Sequence, residues 1–370
     1  LPSAVRRTVS ISSIARRLRR RTARNAESRH ERSNQASTMF QSIFSSLDSF
    51  VSALQTLLYV DVVQPLLFRF DLMDYDEDTF DSLYWVIVGV LEVLAMYAVL
   101  RPLEALRPVE QWESRKAVRV DVIYTWIAKL GILNLFFFFA LQPLFDNVQA
   151  WLRLHDIANV NFDNLWPGVT TQPLVTFVMY LLVLDFAGYW YHRWQHRIGV
   201  WWELHAVHHS QQQMSLWSDD RNHLLDDLLQ ASFFATIALV IGVPPSQFVV
   251  LVAITNLAQS VQHANVRLYF GWLGERLLVS PTFHRRHHAI GYGHEGLRYG
   301  CNFGVLFPWW DMMFRSVSWS REMEPTGIRD QLEGRRYGNG FWAQHWLAFV
   351  RIAGRLSAKR RAKGNDAAAV

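Results

Sequence analysis

One cysteine, Cys301, occurs in 370 residues. That scarcity excludes a disulfide framework and any cysteine-based zinc module. The H-E-x-x-H pattern of hydrolytic zinc helices is absent. So is the His-Pro-Gly-Gly segment of a cytochrome-b5-like haem domain. Net positive charge is confined to one end of the chain. Residues 1–38 hold ten Arg, no Lys and two acids, Glu27 and Glu31 (+8), so residues 39–370 sum to −3 against the chain's +5. A basic balance confined to one tail argues against a nucleic-acid binder. Apolar and aromatic residues are plentiful instead, at 51% and 14%, with sixteen Trp and a mean hydropathy of +0.03. These values fit an integral membrane protein with a substantial aqueous part.

Residues 1–38 read as a disordered basic tail or as an extension upstream of a start at Met39; their Arg and Ser content also fits a transit peptide. Residues 39–81 read as an amphipathic helix or an extra span, residues 82–315 as the catalytic domain, and residues 316–370 as a basic C-terminal tail. A bilayer crossing needs about 20 apolar residues. Candidates are 82–100, broken only by Glu92; 122–145, with one Lys129; 173–191, with Asp185 inside; and a hairpin of 228–243 and 244–262 turning at Gly242-Val243-Pro244-Pro245. The expected fold class is an all-α integral membrane protein. Four to five transmembrane or half-spanning helices would carry a helical cap. Arg101, Arg107, Arg115, Lys116 and Arg119 lie between the first two spans, and only Arg153 between the next two. The positive-inside rule then puts the cap on the cytosolic side.

Histidine supplies the chemistry. Of fourteen, eight fall in three motifs: His192/His196 as H-x-x-x-H, and His205/His208/His209 and His284/His287/His288 as H-x-x-H-H. On a helix, residues at i and i+3 or i+4 share a face, so two imidazoles can grip one metal. The adjacent pair in H-x-x-H-H splays by roughly 100° about the axis. One of the pair can therefore serve the metal held with the first His, while its neighbour faces a second. With His223 and His263 the candidate ligands number ten, enough for two metals; imidazole suits iron, zinc and copper. Asp185 and Asn265 are the candidate catalytic residues, Asp185 because a carboxylate inside a span is costly and usually functional. Asp226, at i+3 from His223, is placed to orient it. His294 reads as a substrate contact or a loop cap. His30, His155 and His345 receive no role.

The order H-x-x-x-H, H-x-x-H-H, H-x-N (His263, Asn265), H-x-x-H-H, Asn302-Phe303-Gly304 and Trp310-Asp311 resembles the fatty acid hydroxylase superfamily over roughly residues 80–315. That superfamily includes sterol desaturases, sterol C4-methyl oxidases and alkylglycerol monooxygenase. Arg221 and His223 match a segment usually written R-x-H-P, with Leu224 in place of Pro. The usual W-D-x-x-F-G-T ends here at Phe314-Arg315. The resemblance implies a membrane-bound non-haem di-iron oxygenase holding two Fe ions, which Zn can replace in purified protein. It implies O2 and two external electrons, used to hydroxylate or desaturate an unactivated C–H bond of a lipid. A separate electron donor, cytochrome b5-like or ferredoxin-type, is expected to dock on a basic surface around Arg285, Arg286 and residues 359–363. A bacterial inner membrane is expected in preference to the endoplasmic reticulum. The motifs leave open whether the lipid is a sterol, a fatty acyl chain, an alkyl glycerol or a carotenoid. A membrane zinc hydrolase and a metal transporter are the competing readings. The first needs about three ligands and a carboxylate base, and the second needs histidines lining the spans.

Overall fold

A computed structural model describes residues 39, 42, 45–112, 114–131, 146–148, 150, 151, 153–155, 162, 166–292 and 299–368. Among the described residues the regular structure is helical, with one isolated bridge between Ala289 and Thr326. Helix α1 is Ser45–Arg69, α2 Asp76–Leu106, α3 Arg115–Lys129, α4 Pro173–Arg197, α5 Gly199–His209 and α6 Leu224–Ile241. After them come α7 Pro245–His263, α8 Gly271–Leu277, α9 Pro281–His287, α10 Trp309–Met313 and α11 Phe341–Ala368.

Among the described residues, four helical stretches are long and apolar enough to cross a membrane: Ser45–Arg69, Met73–Leu106, Pro173–Arg197 and Leu224–Ile241. The first is the segment that sequence left between amphipathic helix and span. The expected hairpin is present as α6 and α7, but α7 is not one of the four; Gln247, Asn256, Gln259 and Gln262 dilute its hydropathy. Of the expected span 122–145, residues 132–145 lie outside the described residues, as do His30, His294 and the tail 1–38.

Local chemistry explains the helix ends. Pro173, Pro245 and Pro281 open α4, α7 and α9, where the missing N–H costs nothing. The Ser280 hydroxyl accepts from Phe283 N at 3.1 Å, capping α9. Gly242 stops α6 in the left-handed region at φ 71°. The hairpin core packs Ile241 and Leu251 against Phe177, Tyr180 and Leu184 of α4. A second core joins Val93, Met96 and Leu100 of α2 to Leu216, Ala264 and Val266.

The polar breaks in two apolar runs find each other. Lys129 Nζ lies 3.1 Å from Glu92 Oε2 and 3.5 Å from Asp220 Oδ1, all three side chains nearly or fully buried. The pairing requires α2 and α3 to touch, and Gly89 permits it: a Cβ there would fall inside the Lys129 carbonyl. Because that obstacle is backbone, no rotamer change relieves it. Gly89→Ala is expected to force the two helices apart and to destabilise the protein by about 2 kcal/mol, read as a lowered melting temperature in detergent. An unchanged melting temperature would show that the contact is not needed.

The C-terminal region, expected as a basic tail over residues 316–370, contains a packed helix. Helix α11 packs on α5 through Ala348 against Leu204 and Val207. Its Arg351 and Arg355, together with Arg335, converge on the buried carboxylate of Glu203 at 3.1–3.3 Å.

Candidate metal centre

Nine of the ten candidate ligands gather at one end of the bundle, in two groups. His192, His196, His205, His209 and His287 form the first; His208, His263, His284 and His288 form the second. Within each group the ligand nitrogens lie within 4.8 Å of one another, and all nine residues are buried. Helix geometry does the sorting. In each H-x-x-H-H triplet the i and i+4 residues share a group and the i+3 residue crosses to the other: His205 with His209, His284 with His288, and His208 and His287 exchanged. The groups abut, with the His209 and His288 rings stacked at 4.3 Å.

The nitrogens are poised to bind something. His287 Nε2 lies 3.1 Å from His209 Nε2, His263 Nε2 lies 3.1 Å from His208 Nε2 and 3.0 Å from His284 Nε2, and His288 Nε2 lies 3.1 Å from His284 Nε2. His192 Nε2 and His205 Nε2 are buried with no hydrogen-bond partner. Burial and the surrounding imidazoles hold His208, His209, His284 and His288 well below their ordinary pKa. Neutral rings with free lone pairs are what a metal requires.

Main-chain carbonyls aim several rings. His287 Nδ1 donates to Cys301 O at 2.7 Å, His192 Nδ1 to Phe303 O at 3.0 Å, and His263 Nδ1 to Gln259 O at 2.8 Å. Each bond turns the opposite nitrogen inward. The 301–307 segment is itself held by acids. Asp311 accepts from Phe303 N and Gly304 N at 2.9 and 2.7 Å. Asn302, at φ 58°, donates to Phe283 O and Ser318 O. Gly304 is required because a Cβ would meet Phe307 O at 2.7 Å. The N-F-G and W-D motifs are therefore two halves of one brace.

Five assignments change. Asp185 does not orient an imidazole directly; it accepts from Leu306 N and Trp310 Nε1, each at 2.7 Å, and from Phe307 N at 3.3 Å. Asn265 clamps a loop, accepting from Val109 N and Glu110 N and donating to Glu110 O. His223 joins neither group. Its Nδ1 caps α6 by accepting from Leu225 N at 3.1 Å, and its Nε2 faces His345 O. The Asp226 carboxylate is held by Tyr191, Gln195 and Trp201 and makes no hydrogen bond to His223; its Oδ2 lies 3.5 Å from His205 Nδ1. Arg285 and Arg286 are not a docking surface, being buried and paired with Glu110 and Glu324.

Sequence reasoning missed two further supports. Arg221 donates to Val207 O, Ser210 Oγ and Asp121 Oδ1, closing the end of α5 behind the first triplet. His345 Nε2 accepts from Leu224 N at 3.1 Å. A proline at 224, the usual residue of the R-x-H-P segment, has no N–H to give. The spacing of Arg221 and His223 carried a signal for the first; nothing in the sequence marked the second.

Comparison with known proteins agrees with this geometry. Residues 177–316, which include all nine gathered histidines, match the model of the family described as fatty acid hydroxylase. The chain is 27% identical over 273 residues to the alkylglycerol monooxygenase of Homo sapiens, a match covering 73% of this chain and 57% of that protein. It is 25% identical to an ornithine lipid hydroxylase of Rhizobium tropici, over 62% of this chain and 66% of that one. A Delta(7)-sterol 5(6)-desaturase of Gibberella zeae is 23% identical, over 43% and 46%. The chain thus spans about half to two thirds of these relatives. No solved structure matches. The chain carries a fatty acid hydroxylase domain at residues 177–316.

Proposed function

We propose that the protein is a membrane-bound oxygenase that hydroxylates or desaturates an unactivated C–H bond of a lipid, using O2 and electrons from a separate donor protein. The two abutting all-imidazole groups carry this reading. The donor set fits iron. Ligands about 2.1 Å from an ion lie about 3.0 Å apart at right angles and about 3.4 Å apart in a tetrahedron. The separations of 3.0–3.1 Å seen between four nitrogen pairs are of the size that two ligands of one ion require. His192, His196, His205, His209 and His287 would hold one ion and His208, His263, His284 and His288 the other. Bound iron would supply, with dioxygen and electrons, an oxidant strong enough to attack an alkyl chain.

The chain's own residues prepare that site. The nine rings are buried, which keeps bulk water from them. Cys301, Phe303 and Gln259 carbonyls fix ring orientation. The groups lie where α4 and α7 end, so a lipid enters from the bilayer and electrons arrive from the cytosolic side, the side given by the arginines of 101–119. Neither group includes a carboxylate to act as a hydrolytic base, which sets the zinc hydrolase reading behind this one.

The test is metal analysis and turnover on protein reconstituted with Fe(II). Two iron ions per chain, with oxygen uptake and an oxidised lipid that both depend on reductant, are expected. Well-folded protein that takes up two irons yet consumes no oxygen with any membrane lipid extract would overturn the activity; protein that binds no iron would overturn the site.

A further inference from the structure

A cavity of about 510 Å³ lies between the C-terminal end of α2, the segment after it and the start of α3. It sits at the same end of the bundle as the histidines, for Asn265, two residues beyond His263, lines it. Arg101, Arg115 and Arg119 give it positive charge. Arg115 and Arg119 are exposed and form no ion pair with a described residue. Its wall also offers buried groups with nothing to bond. Glu104 is 2% exposed; its Oε1 accepts from Leu216 N and Asn265 N, but its Oε2 has no hydrogen bond, and Arg101 comes no closer than 3.9 Å. Glu110 Oε2 is held by Arg285 at 2.8 Å, while its Oε1 is buried without a partner. Trp112 Nε1 is a buried donor without an acceptor.

Unpaired buried polar atoms are rare, and three on one cavity wall point to a missing partner. An anion alone cannot satisfy the carboxylate oxygens, which need N–H or O–H donors. The guanidinium groups and the indole N–H need an acceptor of negative charge. One ligand chemistry meets both demands: a primary ammonium joined to an anion. The cavity lies at the end of α2, one of the four helices long and apolar enough to cross a membrane, which is where a lipid headgroup sits.

We propose that this cavity binds the zwitterionic headgroup of a phospholipid, its ammonium toward Glu104 and Glu110 and its phosphate toward Arg115, Arg119 and Trp112. A quaternary ammonium has no N–H to donate, so the cavity distinguishes ethanolamine from choline heads. Binding is read without metal or turnover, so this proposal can fail or stand apart from the oxygenase reading.

The experiment titrates the full chain in detergent with phosphatidylethanolamine, phosphatidylcholine and diacylglycerol of identical acyl chains, scored by native mass spectrometry. Phosphatidylethanolamine is expected to bind about tenfold more tightly than either of the others. Arg115→Gln with Arg119→Gln, at exposed positions, should abolish the preference over diacylglycerol. Glu104→Gln should abolish the preference over phosphatidylcholine alone; if that variant melts early, Glu110→Gln gives the same reading. Equal retention of the three lipids, or an undiminished preference in the arginine double variant, overturns the proposal. Free phosphoethanolamine that binds as tightly as the lipid would assign the cavity to a soluble ligand and overturn it too.

Discussion

Replacing His209 with Ala is expected to lower bound iron from two ions per chain to one or fewer and turnover by about 10³-fold or more. Loss of a residue that merely orients a ligand already costs 10–100-fold in metal affinity or activity. His209 is more deeply placed. Its Nε2 lies 3.1 Å from that of His287, and its ring stacks on His288, a member of the other group. It also leaves a cavity beside His196 and Trp202, whose rings pack on it. His208→Ala should strike the second group in the same way. His155→Ala is the control, since that ring is exposed and outside both groups. Metal content per folded chain is the primary readout, because it separates ligand loss from unfolding. Two irons and full turnover in His209→Ala would refute the ligand assignment.

Asp185→Ala is expected to cost about 3–5 kcal/mol of stability, because it leaves one buried and two half-buried donors with no acceptor at about 1–3 kcal/mol each, partly relieved by relaxation. The donors are Leu306 N, Phe307 N and Trp310 Nε1. At about 2–4 °C per kcal/mol the melting temperature should fall by roughly 10 °C. The damage should reach the metal groups, for the same 301–307 segment carries the carbonyls that aim His287 and His192. Asp185→Asn keeps the shape and one acceptor oxygen, so it should melt closer to the parent while still binding iron more weakly. That split between stability and metal affinity identifies a positioning residue. An Asp185→Ala protein that melts like the parent would remove the role altogether.

The sequence was informative where one helix encodes both neighbours. The division of each H-x-x-H-H triplet follows from 100° per residue, and the structure sorts His208 from His209 and His287 from His288 as that angle requires. Glu92 and Lys129 stood out as the polar interruptions of two runs, and they pair. What could not be read were partners supplied by main chain. No residue type announces that Cys301 and Phe303 will present their carbonyls to two imidazoles. Long-range choice among equals was also hidden: Asp226 sits one turn from His223 in the chain, yet the approach of α4 and α5 brings His205 to it. His223 was misjudged for a related reason. A histidine just before a helix caps as readily as it ligates, and its spacing from other histidines says nothing about which.

The arginine knot at Glu203 bears on where this molecule ends as a folding unit. The matched segment stops at residue 316, but three guanidiniums from 335, 351 and 355 neutralise a carboxylate that is 2% exposed on the helix bearing the first triplet. Shortening the protein to its matched portion would strand a bare anion on the helix that bears those ligands. The segment after residue 316 is thus a keystone course above the arch, and any transplant of the reactive part into another scaffold must carry it along.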